Sequence, residues 1–171
     1  MNQVRNMKSG LCRRQMEIVV HVNNKPASVA EVMVAASAPP VEILASCFYW
    51  EHDGTVVRLV TEDPQRTRRA LASAGFLCQT DSILLLGPYN QPGVVTQAAA
   101  RLAAVDIGVV YSYVSWSERT GTFAALKTTD DDRALRVLEV NAMVDDLVLA
   151  RVRPRRQAET MNEPLSAKMV A

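Results

Sequence analysis

One stretch of this chain occurs twice. Val22-Asn23-Asn24-Lys25-Pro26-Ala27-Ser28-Val29 returns about 66 residues later as Pro88-Tyr89-Asn90-Gln91-Pro92-Gly93-Val94-Val95. Each copy runs from an apolar strand through Asn, a polar residue, Pro and a small residue into an Ala/Val-rich helix. A repeat of this period points to two small modules rather than one large domain. It also places a polar turn at a helix start in both copies, where backbone N–H groups lack intrahelical partners and can meet an anion.

Beyond the turn, the elements repeat in the same order. The first copy predicts a helix over 28–38, a strand over 43–50, a turn at Gly54, a strand over 55–61, and a helix opened by Glu62-Asp63-Pro64 and closed at Ala74-Gly75. The second predicts a helix over 94–105, strands over 107–116 and 122–128 around Gly121, and a helix opened by Asp130-Asp131-Asp132 that ends near Glu139. Val94, Val95, Ala98, Leu102 and Val105 recur at helical spacing and form one apolar stripe. Asp63 before Pro64 is an N-cap followed by proline at the first helical position. Pro39-Pro40 must end the first helix.

Both copies are βαββα units awaiting a last strand. Short candidates come after each second helix, at 76–80 and near 142–144, while strongly apolar strands recur at 18–22, 83–86 and 147–152. Three such strands for two units imply that one is shared or exchanged. Residues 147–152 are expected to complete a sheet in one of the two halves.

The expected division is a flexible extension over 1–15, a first module over 16–81, a second over 82–153 and a disordered tail over 154–171. Charge tracks this division. Four bases and no acid lie in residues 1–15, and five bases against two acids lie from Arg151 onward, which leaves about −6 on residues 16–150. An acidic body is a poor nucleic-acid surface, and no nucleic-acid partner is expected. No apolar stretch reaches bilayer length and residues 1–15 lack a secretory apolar core, so the expected setting is the cytoplasm, with no membrane partner. Cys12, Cys47 and Cys78 are widely separated and fit reduced thiols better than a disulfide framework or a metal site.

Chemistry for turnover is missing from the pattern. His21 lies on an apolar strand and His52 in a hairpin turn, and no nucleophile–base set, metal-ligand spacing or phosphate loop can be assembled around them. The acidic run at 130–132 is what a helix N-terminus favours in any case. No catalytic residue, metal or cofactor is expected.

Two βαββα(β) units with Asn-x-Pro-small at the first strand-to-helix turn resemble tandem ACT domains, small ligand-sensing modules attached to many amino-acid-metabolising enzymes. The resemblance covers roughly residues 16–152. Its stronger motif is Tyr89-Asn90-Gln91-Pro92-Gly93-Val94-Val95 leading to Leu102, followed by Val105-Asp106-Ile107-Gly108-Val109. The first copy departs from it, with Ala27 in the place of the glycine and Pro39-Pro40-Val41-Glu42-Ile43 at the second-strand approach. The resemblance implies an α+β fold of two ferredoxin-like βαββαβ modules with antiparallel sheets, and non-catalytic, regulatory binding of a small ligand, commonly an amino acid.

The chemistry of the turns is compatible with that. Amides around Gly93, Val94 and Val95 can bind a carboxylate, and Asn90, with Gln91 beside it, can accept from an ammonium group. In the first copy the corresponding residues are Asn24, Lys25, Ala27 and Ser28, where Lys25 and Ser28 offer a charge and a hydroxyl. Whether that copy binds or only supports the other is open, as is a structural or protein-interaction module of the same fold without a competent site. Small antiparallel sheets leave edge strands that must be covered, and a homodimer is expected, with an unidentified enzyme as a possible further partner.

Overall fold

The computed structural model describes residues 12–23, 28–38, 40–52, 54–89 and 93–139. Asn24, Lys25, Ala27, Asn90, Gln91, the strand candidates near 142–144 and at 147–152, and residues 154–171 lie outside the described residues. The first unit comprises β1 (Cys12–Asn23), α1 (Ser28–Ser37), β2 (Ile43–Glu51), β3 (Gly54–Thr61) and α2 (Pro64–Ser73). The second comprises β4 (Cys78–Tyr89), α3 (Val94–Ala104), β5 (Val109–Ser117), β6 (Gly121–Thr128) and α4 (Asp131–Glu139).

Local chemistry sets these bounds. The Asp63 carboxylate accepts from the Arg66 amide at 2.9 Å, and Asp130 does the same for Arg133 at 2.9 Å, so both second helices start on an aspartate cap. Glycine opens both inner strands, at Gly54 and Gly121.

The six strands among the described residues form one antiparallel sheet in the order β2-β3-β1-β4-β6-β5. The central pair carries the approximate symmetry of the repeat. Met16 stands opposite Ser82, its own counterpart 66 positions later, with Cys12 opposite Leu86 and Val20 opposite Cys78 on either side. The two units are therefore related by a half-turn about the β1–β4 seam.

Two sequence expectations change here. The candidates at 76–80 and 83–86 are parts of one long strand, β4, whose first half closes the first unit on β1 and whose second half opens the second unit on β6. Cys12, Arg13, Arg14 and Gln15, expected in a flexible extension, begin β1 and pair with Leu86, Leu85, Leu84 and Ile83. The reason is shared: each strand is long enough to serve both units, and a sequence pattern shows where a strand signal is strong but not how far a neighbour extends it.

One face of the sheet carries the helices. Ile18, Val20, Val22, Val57 and Leu59 pack against Val32, Ala36 and Leu71 in the first unit. In the second, Leu84, Leu86, Ala124 and Leu126 pack against Ala98, Leu102 and Leu138. The other face is concave, because the sheet curls until its edge strands β2 and β5 meet. There the Ser46 amide donates to the Ser115 hydroxyl at 3.0 Å, and Arg119 pairs with Glu42. Leu44, Ala45, Val60, Ile83, Leu85, Phe123 and Ala125 fill this inner face. Among the described residues no helix is long and apolar enough to cross a membrane.

Candidate functional site

Gly93 opens α3 in the left-handed region at φ +85° and, as a glycine, gives the helix no capping side chain of its own. Its carbonyl accepts from the Gln97 amide at 2.8 Å, so the helix is formed from its first turn. Val94 and Val95 are half-buried against the core of the second unit. The helix start is thus fixed by apolar contacts, while its first-turn N–H groups are left without intrahelical acceptors. A ligand drawn close to the backbone would by itself favour glycine here. The structure supplies a different reason, since a Cβ at Gly93 would meet no heavy atom within 4 Å, and the demand for glycine comes from its positive φ.

In the first copy Ser28 is the first residue of α1 and is buried, with Val29 packed on the core beside it. The described residues that lead into the two turns do not come together. β1 and β4 are antiparallel, so Asn23 and Tyr89, which lead into the turns, sit at opposite ends of the central pair. At about 3.3 Å per residue their separation along the strands is on the order of 40 Å. A small ligand cannot span that distance between Asn23 and Tyr89 within one chain.

Sequence reasoning missed a polar cluster inside the curl of the sheet. Glu17 of β1 is fully buried. Its carboxylate accepts from Arg58 Nη1 at 2.6 Å, from the Tyr111 hydroxyl at 2.7 Å and from the Tyr113 hydroxyl at 2.8 Å. Arg58 of β3 also donates to the hydroxyls of Tyr49 at 3.0 Å and Tyr111 at 2.9 Å, and its guanidinium lies 4.4 Å from the Tyr111 ring centroid. Glutamate and arginine come from the first unit and two tyrosines from the second. A buried carboxylate with this many donors joins the units by a satisfied network.

The network shifts its members. Burial, then the charge and hydrogen bond of Glu17, raise the Tyr113 phenol well above its ordinary value; burial and the hydrogen bond to Glu17 raise Tyr111 likewise. Burial opposes the charge on Arg58, but the Tyr49 hydroxyl and Glu17 hold its proton more firmly than usual. Beside them the Cys47 thiol is raised by burial and by Glu17. Burial pushes the Cys12 thiol up to about 12, with Glu139 adding to it. These are unreactive thiols and un-ionised phenols, suited to holding structure together. The only advance signal was an acid at position 17 directly before the apolar run Ile18-Val19-Val20.

The acidic run at the start of α4 is occupied within the chain. Asp131 accepts from the Thr128 amide and hydroxyl at 3.0 and 2.7 Å and pairs with Lys127 at 3.1 Å, while Asp132 pairs with Arg14. Among the described residues no cluster of His, Cys, Asp and Glu could hold a metal ion. His21 and His52 are exposed, His52 with φ +55° in the hairpin turn.

The sequence profile of the ACT domain pair family matches residues 14–151, most of the chain. The protein belongs to the ACT domain pair family. Solved structures share its fold. Protein BT0572 from Bacteroides thetaiotaomicron is similar at 18% identity, with a TM-score of 0.63 over 75% of this chain and 89% of that one. The ligand-free regulatory subunit of aspartate kinase from Thermus thermophilus is similar at 11% identity, with a TM-score of 0.50 over 76% of this chain and 95% of that one. Among curated proteins, no sequence matches this ACT domain pair.

Proposed function

We propose that this ACT domain pair is a non-catalytic regulatory protein that binds an amino acid at the turn into α3, through Asn90, Gln91, Gly93, Val94 and Val95. The observation that carries the reading is the left-handed Gly93, which starts α3 with no capping side chain of its own and leaves first-turn N–H groups for a carboxylate. The likeness of the fold to a regulatory subunit of an amino-acid kinase supports it. In the first copy, Asn24, Lys25, Ala27 and Ser28 form the weaker candidate, and at the opposite end of the central strands it would bind independently.

A calorimetric screen of the proteinogenic amino acids against the full chain tests this. At least one should bind, and Asn90→Ala should weaken it by one hydrogen bond to a charged group, roughly 1.5–3 kcal/mol. Gly93→Val should abolish binding but also strains the turn. Gly93→Asn is the better variant, because asparagine tolerates the left-handed region while adding a side chain over the amides. It should weaken binding with little change in melting temperature. Ala27→Gly should leave binding unchanged or improve it. If nothing binds the wild type, or binding survives both Asn90→Ala and Gly93→Asn, the protein is instead an interaction module of the same fold, a reading that the bare aromatic side chains on β2 and β5 favour.

A further inference from the structure

Among the described residues, the helices pack mainly on β1, β3, β4 and β6 and leave most of the outer face of the two edge strands uncovered. Phe48 stands opposite Val57, and Val114 opposite Ala124, so these side chains point to the helix-bearing side of the sheet. Beyond the reach of the helices they are about half exposed, at 52% and 53%. Trp50 comes next on β2 at 55% and Trp116 on β5 at 67%, with Val110 at 61%. Because β2 and β5 meet, the five residues form one strip along the seam.

The strip has three properties of an interface. The first is size. At about 150–250 Å² per aromatic side chain, the exposed parts of Phe48, Trp50 and Trp116 amount to roughly 250–450 Å², before the valines are added. A stable interface takes about 800 Å² from each partner, about 60% of it apolar, or roughly 480 Å² of apolar surface. The second is charge. β2 from Ile43 to Trp50 and the whole of β5 contain no charged residue, so docking on the strip buries no charge from these strands. The third is symmetry. Trp50 and Trp116 are counterparts in the repeat, as are Phe48 and Val114, so the strip presents similar groups from either end.

We infer that the β2–β5 strip is the surface on which a second copy of this chain docks, forming a homodimer around Trp50 and Trp116. Two copies meeting through the same strip make an isologous contact, which closes at two and needs no second surface. Its size and freedom from charge suit a like partner. Docking through this strip does not depend on whether the turn into α3 binds a ligand.

Trp50 and Trp116 are the chain's two tryptophans, so intrinsic fluorescence reports on the strip alone. Sedimentation velocity and tryptophan emission should be followed on the full chain from well below to well above micromolar concentration. Dimer should give way to monomer on dilution, with emission moving to the red over the same range. Trp116→Ser should weaken self-association by about thirtyfold or more, as expected of a central aromatic anchor. Trp50→Ser should act in the same direction, and both variants should keep the far-ultraviolet circular dichroism of the wild type. Three results would each overturn the inference. One is a monomer at all concentrations with blue emission, in which residues 140–171 of the same chain cover the strip. Another is a monomer with red emission. The last is a dimer whose affinity and emission ignore both substitutions.

Discussion

The two units of this protein have one frame and two interiors. Both start their second helix on an aspartate that accepts an amide at 2.9 Å, both carry a bulge early in the second strand, at Ile43/Ala45 and Val109/Tyr111, and both end that strand with an exposed tryptophan. The inner face is where they part. Glu17 and Arg58 in the first unit correspond by the repeat to Ile83 and Ala125 in the second, and all four are on the concave side. The frame is preserved because each of its features is dictated by a few adjacent residues. The interior is free to differ because each unit packs its inner face against the other unit, so one ion pair lodged among the partner unit's tyrosines suffices for both.

The largest test of this contrast is Glu17→Ile, which gives the first unit the residue type of the second. It leaves Arg58 buried without its counter-ion and should cost roughly 3–5 kcal/mol, read as a lower denaturant midpoint at unchanged m-value. Glu17→Ile/Arg58→Ala installs the second unit's pair in full and should recover most of that loss. A double variant no more stable than the single would show that the tyrosines, rather than the ion pair, dominate the cluster.

The caps should behave alike. Asp63→Ala and Asp130→Ala should each cost about 1 kcal/mol in thermal unfolding. Losses differing by more than a factor of two or three would break the equivalence of the two second helices.

The smallest effect is absent at neutral pH. Tyr113 and Tyr111 hold their protons more tightly in the folded chain than in the unfolded one, where tyrosine ionises near pH 10. Their contribution is therefore complete below about pH 10 and declines as the pH rises above it, because the unfolded state loses protons that the folded state retains. The alkaline limb of the stability curve should be shallower for Tyr113→Phe, and wild-type phenolate absorbance should rise in step with unfolding. Two tyrosines that titrate freely in the folded protein would contradict the buried cluster.

Much of the fold was legible beforehand, and most of it for local reasons. Asp63-Pro64 and Gly54 announce their elements through capping and turn chemistry, and the observed bounds of those two elements, α2 and β3, lie within two residues of those expected. Part of the candidate site was equally legible. Gly93 starts a helix where the motif put it, although the reason it must be glycine lies in its backbone angle rather than in space for a ligand.

The sequence by itself determined the duplication, the order of elements in each unit and the apolar stripe of α3, because these depend on contacts within a few residues and on the periods of helix and strand. Only the tertiary structure decided that β4 serves both units, that β1 extends back to Cys12, and that Glu17 meets Tyr111 across 94 positions of sequence. A strand's alternation tells which side a residue faces. It does not tell what the curl of a six-stranded sheet will bring opposite, and here that curl set a carboxylate from the first strand among a guanidinium and two phenols.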